Sequence, residues 1–178
     1  MEIKLFDKNN LKFIKEAAML LAKTFPQAYN NSSMDEMNNI LEVERVAVMA
    51  IEKDKLIGFI GAIPQYGNTG WELHPLVVDE QYRGRGVGSA LENFLVSQVV
   101  HKGGIMMYLG TDDEFNQTSL AYVDLFNDPF EKIKNIINIS HHSFEFYLKR
   151  GYIITGVIPD ANGFGKPDII MAKRLINT

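Results

Sequence analysis

The sequence predicts an α/β chain in one domain, residues 1–178, and three observations carry that prediction. Short apolar runs suited to strands alternate along the chain with stretches whose apolar residues recur at helical spacing. The run over residues 73–78 passes directly into Gly84, Gly86 and Gly88, and then into Ala90, Leu91, Phe94 and Leu95 on a helical period, which is a strand, a tight loop and a helix in succession. A chain of 178 residues, 46% hydrophobic and without repeats or a low-complexity tail, can bury one good-sized core.

Residues 2–6 alternate and suit a first strand. Leu11, Ile14, Ala17, Ala18 and Leu21 follow a 3.6-residue period, giving an amphipathic helix that stops before Pro26. Ser33 and Glu36 have capping-box spacing and open a short second helix through Met34, Met37 and Ile40. Residues 45–51 and 56–63 are apolar strands joined by the polar turn 52–55, a hairpin. Residues 64–70 connect it to the strand at 73–78. Pro75 has no N–H to donate to a ladder, so a bulge or local splaying of the sheet is expected there. Until that bulge, alternation puts Glu72, His74 and Leu76 on one face and Trp71 and Leu73 on the other.

The helix after the glycines runs to about Val100 and is stopped by Gly103 and Gly104. Residues 105–109 form the next strand, ending at 110–113. The connection over residues 111–140 is longer than a strand-to-helix link needs. Leu120, Tyr122, Val123, Leu125 and Phe126 suggest a helical insert, with Phe130, Ile133 and Ile136 behind it. Residues 141–150 make a short helix with Gly151 as its C-cap, and strands at 152–158 and 168–173 close the chain.

Several function classes are excluded. No run of about eighteen apolar residues exists, and the N-terminal residues lack the basic-then-apolar pattern of a signal peptide. The absence of cysteine rules out disulfides and an acyl-cysteine intermediate and is compatible with a cytoplasmic setting. A net charge of −4 argues against nucleic acid as the main partner. The histidines lack metal-ligand spacing, so no metal is expected.

The glycine loop holds the clearest chemical signal. Glycines without β-carbons let an anion approach the backbone, and free N–H groups at a helix start hold it, here beside Arg83 and Arg85. A plain turn has the same composition. A Walker loop needs Lys-Ser or Lys-Thr after its last glycine, and the dinucleotide fingerprint needs G-x-G-x-x-G; neither is present. Arg83-Gly84-Arg85-Gly86-Val87-Gly88 resembles the Arg/Gln-x-x-Gly-x-Gly/Ala signature of the GNAT acetyltransferase superfamily. The segments 59–67, 71–78, 108–113, 144–147 and 159–163 are similar to the chromosomal type of aminoglycoside 6′-N-acetyltransferase.

The resemblance implies a mixed, largely antiparallel sheet splayed at the acetyl-CoA site and flanked by helices, with the pantetheine arm lying in the splay. It implies coenzyme A contacts from Leu76, Val77 and Val78, from Arg83 through Val87, Gly88 and Ser89, and from Phe144 and Tyr147. It implies that the Leu76 N–H faces the thioester oxygen and that Tyr147 is the general acid for the departing thiolate. A Tyr at such a helix position also serves as packing. Phe25, Tyr66, Glu72, His74, Asp112 and Asp113 are the acceptor candidates. Glu72 is read as acceptor-binding or base, and His74 as an acceptor contact or a shaper of the bulge. Phe25 stands where the resembling enzymes carry Trp, and Ser140 where many GNAT proteins have an Asn reaching coenzyme A. A homodimer is implied as well.

The acidic residues point the same way. Residues 26–44 and 111–131 contain ten Asp and Glu and no Lys or Arg; a solvated surface is the usual explanation of acidic runs, and exclusion of basic residues from both is also what a polycationic acceptor would favour. The expected activity is direct acetyl transfer from acetyl-CoA to an amine of such an acceptor, aminoglycosides first, with small polyamines and protein N-termini as alternatives. A non-catalytic acyl-CoA-binding module is the alternative from another class.

Overall fold

The computed structural model describes residues 1–176. The chain divides into two compact units, Met1–Ile105 and the remainder from Met106. The described residues contain seven strands and six α-helices, and every strand pairing within the units is antiparallel.

In the first unit, β1 (Glu2–Leu5), β2 (Val46–Glu52), β3 (Lys55–Gln65) and β4 (Gly70–Val78) lie side by side in that order. β2 is buried over Val46–Ile51, an unbroken apolar run as expected of a strand covered on both faces. The β2–β3 hairpin turns through Lys53 and Asp54, both at positive φ (49° and 61°), the two-residue geometry that matches the twist of the strands.

Helix α1 (Leu11–Thr24) starts where the Asn10 side chain accepts from the Phe13 N–H, and Pro26 follows its end. Its Phe13, Ile14, Ala17 and Leu21 pack with Met37 and Ile40 of α3 (Ser33–Ile40) against Ala47, Met49, Phe59 and Val77 on one sheet face. Burying side chains of this size contributes about 1.5–3 kcal/mol each. Helix α4 (Val87–His101) covers the other face with Leu91, Leu95 and Val99; a β-carbon on Gly58 would lie 3.3 Å from the Leu91 Cδ1.

Two expectations for this segment are corrected. Ser33 and Glu36 do not form a capping box: the N-cap is Ser32, which makes no side-chain cap. A turn of helix absent from the sequence reading, α2 (Pro26–Tyr29), leads almost directly into α3, and the Ser32 hydroxyl is bonded back to the Ala28 carbonyl. Met34 is exposed on α3.

The bulge expected at Pro75 is present. Ile60 pairs with Leu76 but Ala62 with Leu73, so β4 carries one extra residue opposite Gly61. Its effect is larger than a local kink, because a one-residue slip turns a strand over. Glu72 and His74 lie on the face covered by α1 and α3, whereas Leu76 crosses to the α4 face, where Trp71 and Leu73 lie, and Val77 takes its place in the α1–α3 core. Gly61 makes this possible: a β-carbon there would sit 2.4 Å from the His74 carbonyl oxygen and 3.1 Å from the Ile40 Cγ2. The sole tryptophan, Trp71, is 1% exposed, and its indole N–H donates to the Asn68 carbonyl at 2.9 Å.

In the second unit β5 (Met106–Asp112), β7 (Asp168–Arg174) and β6 (Ile153–Ile158) form adjacent strands in that order. Helix α6 (Phe144–Lys149) is followed by Gly151 at φ 84°, with the Gly151 and Tyr152 N–H groups returning to the Leu148 and Tyr147 carbonyls, as a glycine C-cap requires. The helix is shorter than expected, because His141 lies at φ 56° and the His142 N–H is taken by the Asn138 side chain.

The helical insert expected over residues 120–126 is not there. Helix in this connection is confined to α5 (Pro129–Lys134). Leu120 and Leu125 are buried, but the backbone between them turns through Tyr122 at φ 55°. The Asp113 carboxylate draws in the N–H groups of Gln117 and Thr118, side-chain bonds that compete with a helix ladder.

Candidate active site

On β4, the two polar side chains ahead of the bulge are half-buried. Glu72 accepts a long hydrogen bond (3.5 Å) from the Gln65 side-chain amide. The His74 Nε2 lies 3.2 Å from the Tyr29 hydroxyl and 3.4 Å from the Glu36 Oε1. Tyr29 comes from α2 and Glu36 from α3, so the segment after Pro26 closes onto the bulged strand at His74. Phe25, at the start of that segment, is 42% exposed and meets the Tyr29 ring edge-on at 6.4 Å. Tyr66 is exposed at the start of the β3–β4 connection.

β4 ends at Val78, and the next residues build a loop. Asp79 accepts from the Gln81 N–H and, with its other oxygen, from Lys55 at 3.0 Å, fixing a single 3₁₀ turn at Glu80–Tyr82. Burial pushes the Asp79 carboxyl up, but the Lys55 and Gln81 hydrogen bonds and the Lys55 charge outweigh it and hold the group below its ordinary value. Arg83 donates through Nε to the Val78 carbonyl, and Arg85 lies over the Tyr82 ring at 5.2 Å.

Gly84 and Gly86 adopt φ 72° and 81°, a left-handed conformation that side chains with a β-carbon resist. Nothing lies within 4 Å of where either β-carbon would be. Gly86 is the N-cap of α4 and offers no side chain to the first turn, whose N–H groups have no partner in the helix ladder. The result is an open backbone cradle with positive dipole character, flanked by two arginines. It fits a pyrophosphate.

The second unit carries the remaining candidates. Tyr147 is 8% exposed on α6, with edge-on ring contacts to Phe146 and Tyr152 at 5.1 and 5.5 Å. Phe144 is buried beside the His142 ring, and its N–H donates to the His142 Nδ1. The His142 Nε2 donates to the Asp112 carbonyl, so this buried histidine ties the start of α6 to the end of β5.

Asp112 and Asp113 are treated differently by the fold. The Asp112 carboxylate is on the surface and accepts from the Asn162 side chain. Asp113 is fully buried, and its carboxylate accepts from the Gln117 N–H (2.6 Å), the Thr118 N–H (2.9 Å) and the Thr118 hydroxyl (2.7 Å). It organises its own loop. Ser140 is exposed and bonded through its backbone to Gln117. Of the acidic residues in the two connections, Glu42 and Glu131 are partly neutralised by Arg45 and Lys134 just beyond them.

The model of the acetyltransferase (GNAT) family matches residues 14–125, which include β4, the glycine loop and α4. The chain belongs to the GNAT acetyltransferase family. No curated protein matches this acetyltransferase. Among solved structures, the acetyltransferase is similar to an aminoglycoside 6′-N-acetyltransferase complexed with coenzyme A, at 48% identity and TM-score 0.98, over 100% of this chain and 99% of that one. The aminoglycoside 6′-N-acetyltransferase from Enterococcus faecium has 48% identity and TM-score 0.96 over the same shares. An aminoglycoside 6′-acetyltransferase type Ii has 44% identity and TM-score 0.82, again over 100% and 99%.

Among the described residues, no group of three His, Asp or Glu side chains is arranged to hold a metal ion, and no helix is long and apolar enough to cross a membrane. The sequence reading did not anticipate Tyr29 and Glu36 as neighbours of His74. Glu36 had a local explanation as a capping residue, and the α2 turn that carries Tyr29 has too few residues to show a period.

Proposed function

We propose that this acetyltransferase moves an acetyl group from acetyl-CoA directly to an amine of a polycationic acceptor, the 6′-amine of aminoglycosides. The observation that carries this reading is the end-to-end similarity, at 48% identity, to an aminoglycoside 6′-N-acetyltransferase complexed with coenzyme A. The open cradle at the start of α4 supports it independently, since the run from Arg83 to Ser89 offers an anion backbone donors and leaves open space at Gly84 and Gly86. In this reading the backbone of Val77 and Val78 borders the pantetheine arm.

The chemistry then follows from the functional groups. The neutral acceptor amine attacks the thioester carbon, and the Leu76 N–H donates to the oxygen as negative charge develops, an interaction of about 2.7–4 kcal/mol in the transition state. The C–S bond breaks, Tyr147 protonates the departing thiolate, and the second proton shed by the acetylated nitrogen passes through solvent to restore the tyrosine hydroxyl. Glu72 and His74 hold the incoming ammonium and take its proton, and Phe25, Tyr66 and Asp112 line the acceptor's approach. Asp113 serves acceptor binding by shaping the loop that follows Asp112. Both compact units belong to one catalytic domain.

A second copy of the chain completes the reading. The second unit leaves Phe115, Phe126, Phe130 and Phe164 more than 70% exposed, which supports a homodimer. Dependence on acetyl-CoA and the lack of cysteine support a cytoplasmic setting.

Thiol release from acetyl-CoA, measured against panels of aminoglycosides, polyamines and N-terminal peptides, tests the reading. Turnover is expected with 6′-amino aminoglycosides and should drop when the 6′-amine is replaced by a hydroxyl. Better turnover of peptides or simple polyamines would replace the acceptor, and no turnover of any amine would remove the enzymatic reading.

A further inference from the structure

The environment of His74 goes beyond the assignment of acceptor contacts. Two residues from different helical segments converge on one nitrogen of its ring, the Tyr29 hydroxyl at 3.2 Å and the Glu36 carboxylate at 3.4 Å from Nε2. The Glu36 side chain is only 19% exposed and that of His74 35%, so solvent screens the pair incompletely. Among the described residues nothing pairs with Nδ1. A carboxylate accepts hydrogen bonds and donates none. A bare lone pair on Nε2 facing the Glu36 oxygen would be repelled, whereas an Nε2–H directed to the Tyr29 oxygen is stabilised by the adjacent negative charge.

We infer that Glu36 and Tyr29 are positioning residues that hold His74 as the Nε2–H tautomer, so that Nδ1 presents its lone pair to an ammonium group of the acceptor. The orientation of a histidine by a carboxylate on its far nitrogen is the arrangement by which one ring nitrogen is prepared as a base. When Nδ1 takes the ammonium proton, the N–H bond of the acceptor breaks, the amine gains its lone pair for attack, and the positive charge of the ring is balanced by Glu36. No other reactant is needed. The alternation that runs along β4 up to the bulge puts His74 on the α1–α3 face, where α2 and α3 deliver their side chains.

The inference rests on the proposed amine acetylation only for the identity of the group that meets Nδ1. The tautomer is independent of it. Two-bond ¹⁵N–¹H correlation spectra of histidine-labelled protein show which nitrogen carries the proton; the four histidines are separated by the loss of one signal set in His74→Gln. At alkaline pH the wild-type His74 is expected in the Nε2–H form, and Glu36→Gln, whose amide can donate to Nε2, is expected to shift it toward Nδ1–H. In steady-state assays Glu36→Gln should lower acceptor kcat/KM about tenfold, the size of one charge-assisted hydrogen bond, with acetyl-CoA KM unchanged. In the His74→Gln background the same change should cost less than about twofold. An Nδ1–H wild-type ring, or equal losses in both backgrounds, overturns the inference. Absence of turnover with every amine would instead remove the proposed function, and the spectra would still decide the tautomer.

Discussion

Replacing Asp113 separates a carboxylate that builds a loop from its neighbour Asp112 on the surface. Its carboxylate is fully buried and receives two backbone N–H groups and the Thr118 hydroxyl. In Asp113→Ala the hydroxyl can rotate to another acceptor, but the Gln117 and Thr118 N–H groups are held by the turn. A buried donor left without an acceptor costs about 1–3 kcal/mol, so the two together predict a loss of about 2–4 kcal/mol after partial hydration of the less buried Gln117. Asp113→Asn keeps one acceptor oxygen and should fall between the two. Asp112→Ala, whose carboxylate is on the surface, should change stability by less than about 0.5 kcal/mol. Urea unfolding measures these differences, and amide exchange at Gln117 and Thr118 reports the local effect. If Asp113→Ala unfolds with the wild-type midpoint and the two amides keep their protection, the carboxylate does not hold the loop and the reasoning fails. In acceptor kinetics Asp112→Asn should raise acceptor KM at unchanged stability.

Other positions give equally direct expectations. Tyr147→Phe should slow the single-turnover chemical step while leaving acetyl-CoA affinity unchanged, and an unaltered step would make Tyr147 a packing residue. Gly86→Ala should weaken acetyl-CoA binding in calorimetry, because a β-carbon at φ 81° costs about 1–2 kcal/mol and shifts the cradle; unchanged affinity in a folded variant removes the cradle. Gly61→Ala should destabilise by about 1–3 kcal/mol, since its β-carbon meets the His74 carbonyl at 2.4 Å, and a neutral result in urea unfolding would mean that the bulge can slide. Asp79, held below its ordinary value, contributes stability that is complete above the unfolded-state value and is lost as pH falls through the depressed folded one. Asp79→Asn should therefore lose about 1 kcal/mol near neutrality and show a flatter acid limb, a discounted figure because Lys55 is largely exposed.

Backbone chemistry was the most readable part of the sequence. Pro75 announced the bulge because a residue without an N–H cannot sit in an unbroken ladder, and Gly84 and Gly86 announced an open loop because glycine tolerates its left-handed dihedral angles. The consequence of the bulge for Leu76 was less visible: alternation is a local rule, and it reverses only when the partner register is known. The connection after β5 was misread because Leu120, Val123 and Phe126 resemble a helical face, whereas its organiser is a single carboxylate with no period of its own. Tyr29 and Glu36 meet His74 from distant positions, 45 and 38 residues away along the chain, and no local pattern encodes such a meeting.

Trp71 gives this molecule an intrinsic optical label. It is the only indole in the chain, it is shielded from water, and it neighbours Glu72 on the strand that carries the acceptor candidates. Its emission should be blue-shifted in the native protein and move to the red when the first unit opens, while far-ultraviolet circular dichroism records the strands and helices of both units. Superimposable denaturation curves from the two signals would mark one cooperative transition; separated curves would assign the fluorescent one to the half containing the glycine cradle. The same emission offers a titration signal for ligands that settle along β4, without any engineered reporter.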